Sequence, residues 1–166
     1  MNKNVYVFGA GYVGLSNGVL LAQHNKVTLV DINQQRVDLI NKKQSPIRDN
    51  EIELFLSECD LNICATSCVD EKVRAADYVI IATPTNFDEL TGSFNTSSIE
   101  SVLDQLKSYN YQGIVVIRST VPLGYTDALK RMGWSRVLFV PEFLREGSAL
   151  YDSLHPSRIV LKYCRI

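Results

Sequence analysis

No run of like charge, no CxxC pair and no unbroken apolar stretch of membrane-spanning length occurs in this chain of 166 residues. Each absence excludes something. With 17 Lys and Arg set against 18 Asp and Glu, interspersed along the chain, there is no electrostatic footprint for nucleic acid or for an anionic membrane, and a small neutral or anionic ligand is the expected partner. The few cysteines, Cys59, Cys64, Cys68 and Cys164, sit at no metal-ligand spacing and beside no histidine. No metal is therefore expected, and the thiols read as reduced and packed in a cytoplasmic protein. Lys3 followed by the apolar stretch from Val5 to Ala22 has the look of a leader, but Gly9, Gly11, Gly14 and Asn17 break it, so neither a secretory h-region nor a membrane span is expected there. Asn95-Thr96-Ser97 has the form of a glycosylation sequon, and without a leader it reads as a polar loop entering a helix.

Internal repeats and low-complexity linkers are missing too, and the length suits one domain able to bury roughly two thirds of its unfolded surface. What is present is an alternation. Short apolar runs at Val5–Phe8, Val27–Asp31, Asn62–Ala65, Tyr78–Thr83, Ile114–Ser119, Val137–Val140 and Arg158–Leu161 predict strands. Helices are predicted over Tyr12–His24, Gln34–Lys43, Glu51–Glu58, Val69–Ala75, Ser98–Tyr109 and Gly124–Met132, with Val37, Leu39 and Ile40 turned to the sheet. Strands apolar on both faces and separated by helices make a parallel sheet covered on both sides. The expected fold class is α/β, a Rossmann-type doubly wound, mostly parallel sheet.

Such sheets bind ligands beyond the carboxyl ends of their strands. At the first of those ends Gly9, Gly11 and Gly14 stand in GxGxxG spacing between a strand and a helix. Gly9 allows the tight turn, Gly11 leaves room for a pyrophosphate, and Gly14 lets helix and strand pack closely, with the helix N-terminus facing the phosphates. A GxGxxG alone is a weak signal. Asp31 strengthens it, because it ends the second strand 20 residues after Gly11, where a carboxylate can accept from both hydroxyls of an adenosine ribose and repel a 2′-phosphate. NAD is favoured over NADP, with Arg36 close enough to leave some tolerance. The structural alternative is a plain tight turn with Asp31 as a helix cap.

Later strand ends carry small polar groups beside proline: Thr83, Pro84 and Thr85, then Ser119, Thr120 and Pro122. Proline ends each ladder and leaves the hydroxyls at the ligand edge. Taken singly each is a helix cap; together they favour a site. The run VPEFLREG, residues 140–147, follows another strand. As a helical turn it would put Glu142 and Glu146 on one face, an unfavourable like-charge pair that Arg145 would partly offset.

The segments GAGYVGLS, VDI, SPIRDNEIE, IIATPTN, IRSTVPLG, PEFLREGSALYD and HPSRIV resemble, in order and spacing, the UDP-glucose/GDP-mannose dehydrogenase family, which oxidises the C6 hydroxyl of a nucleotide sugar. The wording SPIRDNEIE and TPTNF is most similar to the members acting on UDP-glucose, with GDP-mannose and UDP-N-acetylmannosamine as alternative substrates. The resemblance implies an NAD-dependent oxidation of UDP-glucose to UDP-glucuronate by two hydride transfers, through a cysteine thioester that water hydrolyses. It implies cofactor contacts at Gly9, Gly11, Tyr12, Val13, Gly14, Asp31, Arg36, Thr83, Thr85, Thr120 and Glu146. Thr120 and Glu142 are the implied catalytic groups, Thr120 holding water or hydroxyl and Glu142 assisting water attack. Glu142, Phe143, Leu144, Arg145 and Glu146 would line the nucleotide sugar.

Family members are more than twice this long. The glycine-rich motif of the nucleophilic cysteine, the central helical segment through which complete members dimerise, and the second nucleotide-binding domain have no counterpart in the sequence. Cys164, in the terminal KYCRI, lacks the surroundings of the nucleophile, and the family pattern stops after Leu161. The expectation is one NAD-binding domain over residues 1–166, inactive alone. A stand-alone NAD-binding or regulatory module is a second reading. A β-hydroxyacid or 6-phosphogluconate type dehydrogenase is a third, and PEFLREG argues against it.

Overall fold

The computed structural model describes residues 2–89 and 92–162. Six parallel strands lie in the order β3-β2-β1-β4-β7-β8: β1 Asn4–Phe8, β2 Lys26–Val30, β3 Ile63–Thr66, β4 Tyr78–Ile81, β7 Ile114–Ile117 and β8 Val137–Phe139. The chain winds outward from β1 in one direction, returns, and winds outward from β4 in the other. The crevice between β1 and β4 is therefore the topological switch point, where doubly wound sheets take ligands.

The strands alternate within their apolar runs. Val5 and Val7 of β1 join one buried cluster while Tyr6 and Phe8 join the other, so both sheet faces are covered. One face carries α1 Tyr12–Ala22 and α3 Asn50–Glu58, packed through Leu15, Val19, Ile52 and Leu56. The other carries α4 Ser97–Ser108 and α5 Tyr125–Arg131 through Ile99, Val102, Leu103, Leu106 and Leu129. Helix α2, Gln34–Asn41, buries Val37 and Ile40 and leaves Leu39 half-buried. Its N-cap is Asn33, whose side chain accepts from the amides of Gln35 and Arg36, so Asp31 is not the cap.

Some expected elements change, and others appear where none was expected. Val69–Ala75 is a single 3-10 turn, Glu71–Ala75, because Asp70 caps it and only Val73 is buried. Arg158–Leu161 forms no strand: the run is exposed, and it is the next residue, Lys162, that makes an antiparallel bridge to Phe139 of the short β8. A hairpin of β5 Phe87–Asp88 and β6 Ser93–Phe94, closed by an edge-on contact of Phe87 and Phe94 at 5.2 Å, interrupts the connection after β4. A short helix, α6 Ala149–Leu154, follows the VPEFLREG run, which is itself irregular up to a turn at Glu146-Gly147. Glu142 and Glu146 thus share no helix face, and the like-charge cost expected of them does not arise. Cys164 lies outside the described residues.

Candidate functional site

The glycine turn closes the end of β1 with little room to spare. Gly9 has φ +95°, and a Cβ there would lie 2.6 Å from the carbonyl oxygen of Ala82, just past β4. A Cβ on Gly14 would sit 1.8 Å from the Gly9 carbonyl oxygen. These two positions require glycine because backbone meets backbone there. Gly11 is different: a Cβ there meets nothing within 4 Å. It is the N-cap of α1, no side chain caps the helix amides, and no acid stands in the first turn. The turn therefore presents free N–H groups and a positive helix end to open space, an arrangement able to receive a pyrophosphate. Tyr12 and Val13 flank this opening, both half-buried.

Asp31, 7% exposed, is tied to the same turn. Its Oδ2 accepts from the Ala10 amide at 2.7 Å, its Oδ1 accepts from the Asn33 amide at 2.8 Å, and the Arg36 guanidinium stands 3.6 Å from Oδ2. A carboxylate has about four acceptor sites, so two amides leave capacity for ribose hydroxyls. Ile32, 97% exposed beside Asp31, offers an apolar surface that the sequence reading passed over. Exposed apolar residues are common enough that only its position next to the acid marks it.

The ends of β4 and β7 are sewn together. Ser119 Oγ donates to the Thr83 carbonyl at 2.7 Å, and the Arg118 amide donates to Ile81 O at 2.8 Å. Ser98 Oγ, near the start of α4, donates to Pro84 O at 2.7 Å and lies 3.0 Å from Thr83 Oγ1. Ser119 is thus structural and buried, Thr83 and Thr85 are half-buried, and Thr120 is exposed at the edge.

At the end of β8, Glu142 forms an ion pair with Arg118, both largely buried, and its Oε1 accepts from the Phe143 amide at 3.0 Å. Arg118 is the site residue the sequence reading missed, since two residues before a threonine it reads as an ordinary solvated strand-end charge. Arg145 does not reach toward Glu142. Its amide, Nε and Nη2 donate to Asp152 of α6 at 2.8, 3.1 and 2.8 Å, and these hydrogen bonds hold the Asp152 carboxyl below its ordinary value. The exposed Phe143 ring carries the Arg158 guanidinium 4.4 Å from its centroid, Leu144 is half-buried, and Glu146 is exposed. Arg118, Glu142, Phe143, Leu144 and Arg158 are among the residues lining a cavity of about 270 Å³.

The predicted residues therefore fall along one edge, from Asp31 and Arg36 after β2, past the glycine turn and Thr83, to Thr120 and Glu142. The thiols do not join them, and they are not packed as expected: Cys64 and Cys68 are exposed and Cys59 is half-buried, Cys64 because its strand lies at the sheet edge. Cys64 lies on β3 and Cys59 and Cys68 flank that strand, four strand positions from β7, roughly 19 Å at the usual spacing. Among the described residues, no three His, Cys, Asp or Glu are grouped as a metal site, and no helix is long and apolar enough to cross a membrane.

Among relatives similar to this chain, the UDP-glucose 6-dehydrogenase of Campylobacter jejuni is 46% identical over 160 residues, covering 95% of the chain and 41% of the relative. That of Streptococcus pneumoniae is 45% identical over 158 residues, covering 95% and 40%. Among solved structures, a UDP-glucose dehydrogenase from Pyrobaculum islandicum superposes with a TM-score of 0.82 at 28% identity over 97% of this chain and 40% of that one. A ternary complex of GDP-mannose dehydrogenase from Pseudomonas aeruginosa gives 0.81 at 28% over 95% and 40%. The chain thus spans about two fifths of the length of the relatives it matches. Residues 3–163 match the family described as UDP-glucose/GDP-mannose dehydrogenase, NAD binding domain, and with the glycine turn, Asp31 and the Thr120 and Glu142 strand ends in place, the chain belongs to that family.

Proposed function

We propose that this chain is the cofactor domain of a nucleotide-sugar 6-dehydrogenase acting on UDP-glucose, and that alone it binds NAD without turning over. The observation that carries the reading is the open, uncapped glycine turn at the β1/β4 switch point, with Asp31 bonded to its Ala10 amide. Bound there, NAD would supply the hydride acceptor. The chain's own groups divide the remaining work. The amides ahead of α1 meet the pyrophosphate, Asp31 and Arg36 hold the adenosine ribose, and Thr83 and Thr85 border the path toward β7.

Thr120, exposed beside the Ser119 staple, holds the sugar hydroxyl or the later water. Glu142, fixed by Arg118 and the Phe143 amide, faces the reacting carbon, while residues 142–146 line the sugar and Glu146 stands toward the nicotinamide. UDP-glucose is favoured over GDP-mannose and UDP-N-acetylmannosamine because the relatives at 45% and 46% identity carry that name. The unpaired thiols of Cys59, Cys64 and Cys68 favour a cytoplasmic location. Assembly into dimers or larger is a property proposed for the longer protein. The three described thiols stand too far from Thr120 for one of them to serve as the nucleophile, so covalent oxidation to the acid has no acceptor among them.

Isothermal calorimetry with NAD tests the first part. Saturable binding is expected, and its absence at millimolar cofactor would overturn the reading. Incubation with UDP-glucose and NAD should yield no UDP-glucuronate; its appearance would refute the second part.

A further inference from the structure

The SPIRDNEIE motif supplies none of the candidate site residues, yet one of its residues reaches across the fold. Asp49 is 2% exposed, and both its oxygens are taken by backbone amides. Oδ1 accepts from Ile52 at 3.1 Å and caps α3; Oδ2 accepts from Ala149 at 2.6 Å and Leu150 at 3.4 Å, the first residues of α6. One buried carboxylate thus serves two helix N-termini, its own and one 100 residues further along the chain at Ala149, with charge-assisted bonds stronger than neutral ones. The Arg48 carbonyl oxygen lies 3.7 Å from where a Cβ on Gly147 would stand, so the same segment abuts the turn that follows Glu146. Leu150, fully buried, then packs into the cluster holding Ile52 and Leu56.

The irregular run from Pro141 to Gly147 has no helix or strand of its own to fix it. It is pinned at one end by the Arg118–Glu142 pair, in its middle by Arg145 to Asp152 of α6, and at the other end by the start of α6, whose first amides Asp49 receives. We propose that Asp49 is a positioning residue for this site wall: by fixing the start of α6 it sets the placement of Glu146 and so of the nicotinamide end of the cofactor. The second half of that statement rests on the NAD-binding reading above.

Asp49→Asn breaks the double cap. Asparagine is a good N-cap for α3 but has one acceptor oxygen; with that oxygen on the Ile52 amide, its NH2 faces the α6 amides, donor against donor. Amide hydrogen exchange is expected to quicken about tenfold or more at residues 143–150 and to stay unchanged in β1 and β4, which global destabilisation would not do. Affinity for NAD should fall about tenfold, while affinity for ADP-ribose, which lacks the nicotinamide, stays within about twofold. In the unmodified chain the Ala149 and Ile52 amides should exchange as one cooperative unit, a measurement that needs no variant.

Loop-like exchange of Ala149 in the unmodified chain, or Asp49→Asn leaving both residues 143–150 and the Ile52 amide protected, overturns the proposal. Equal loss of both nucleotides removes its nicotinamide half. If the unmodified chain binds neither nucleotide, the function reading fails, and exchange alone decides whether Asp49 places the wall.

Discussion

Gly11 and Gly14 stand three residues apart in one motif and should fail in different ways when given a methyl group. Gly14→Ala drives a Cβ into the Gly9 carbonyl oxygen, backbone against backbone, with no flexible side chain to give way. A loss of about 3 kcal/mol in urea unfolding is expected. Gly11→Ala meets open space and a φ of −83° that alanine tolerates, so stability should stay within about 0.5 kcal/mol. On the proposed NAD-binding reading its methyl group would occupy the space a pyrophosphate needs, and calorimetry should show NAD affinity reduced tenfold or more. Unchanged NAD binding by Gly11→Ala would remove the pyrophosphate from this turn. At this scale the sequence was informative wherever a residue acts through its own local turn, as Gly9 and Gly14 do. It was silent about Arg118, because the partner that gives that arginine its role lies 24 residues on, at the end of another strand.

Among elements, α6 and the run before it were the least legible. Residues 140–147 have no apolar period, and what orders them is long-range: Arg118 to Glu142, Arg145 to Asp152, Asp49 to Ala149. The apolar spacing of α3 and α4, by contrast, placed each within a residue or two, since each packs one apolar stripe; α1, buried without a break from Gly14 to Val19, was placed as closely by the glycine turn that starts it. The Arg145–Asp152 contact also gives this wall a pH dependence. Hydrogen bonds from Arg145 depress the Asp152 carboxyl below its ordinary 3.8, so the tie is fully present above that pH and is lost as pH falls through the depressed value. The Arg145 Nε–H resonance should therefore titrate with a midpoint below 3.8 and lose that transition in Asp152→Asn. A midpoint at or above 3.8 would contradict the structure.

For the molecule as a whole, the double apolar runs announced a sheet buried on both faces, and the winding order followed from alternating strands and helices. The management of its edges did not show in the sequence, because it depends on single side chains meeting distant backbone. An unprotected edge strand is a template for pairing with another chain. At β8, Lys162 donates its amide to Phe139 at 2.9 Å and its ammonium to Asp127 at 2.9 Å, laying the returning chain along that edge. At β3, Asn41 does the work of a missing strand: its Nδ2 donates to Ala65 O at 2.9 Å and its Oδ1 accepts from the Ala65 amide at 2.8 Å. An amide side chain thus copies one rung of a ladder and prevents another chain from adding there. Asn41→Ala should cost only about 1 kcal/mol, since the groups it frees can turn to water. Its larger effect should be self-association: light scattering is expected to show dimers or higher species growing with concentration, and Asn41→Asp, which can still accept from Ala65, should form fewer. A variant that remained monomeric at millimolar concentration would show that the short length of β3, not Asn41, keeps this edge from pairing.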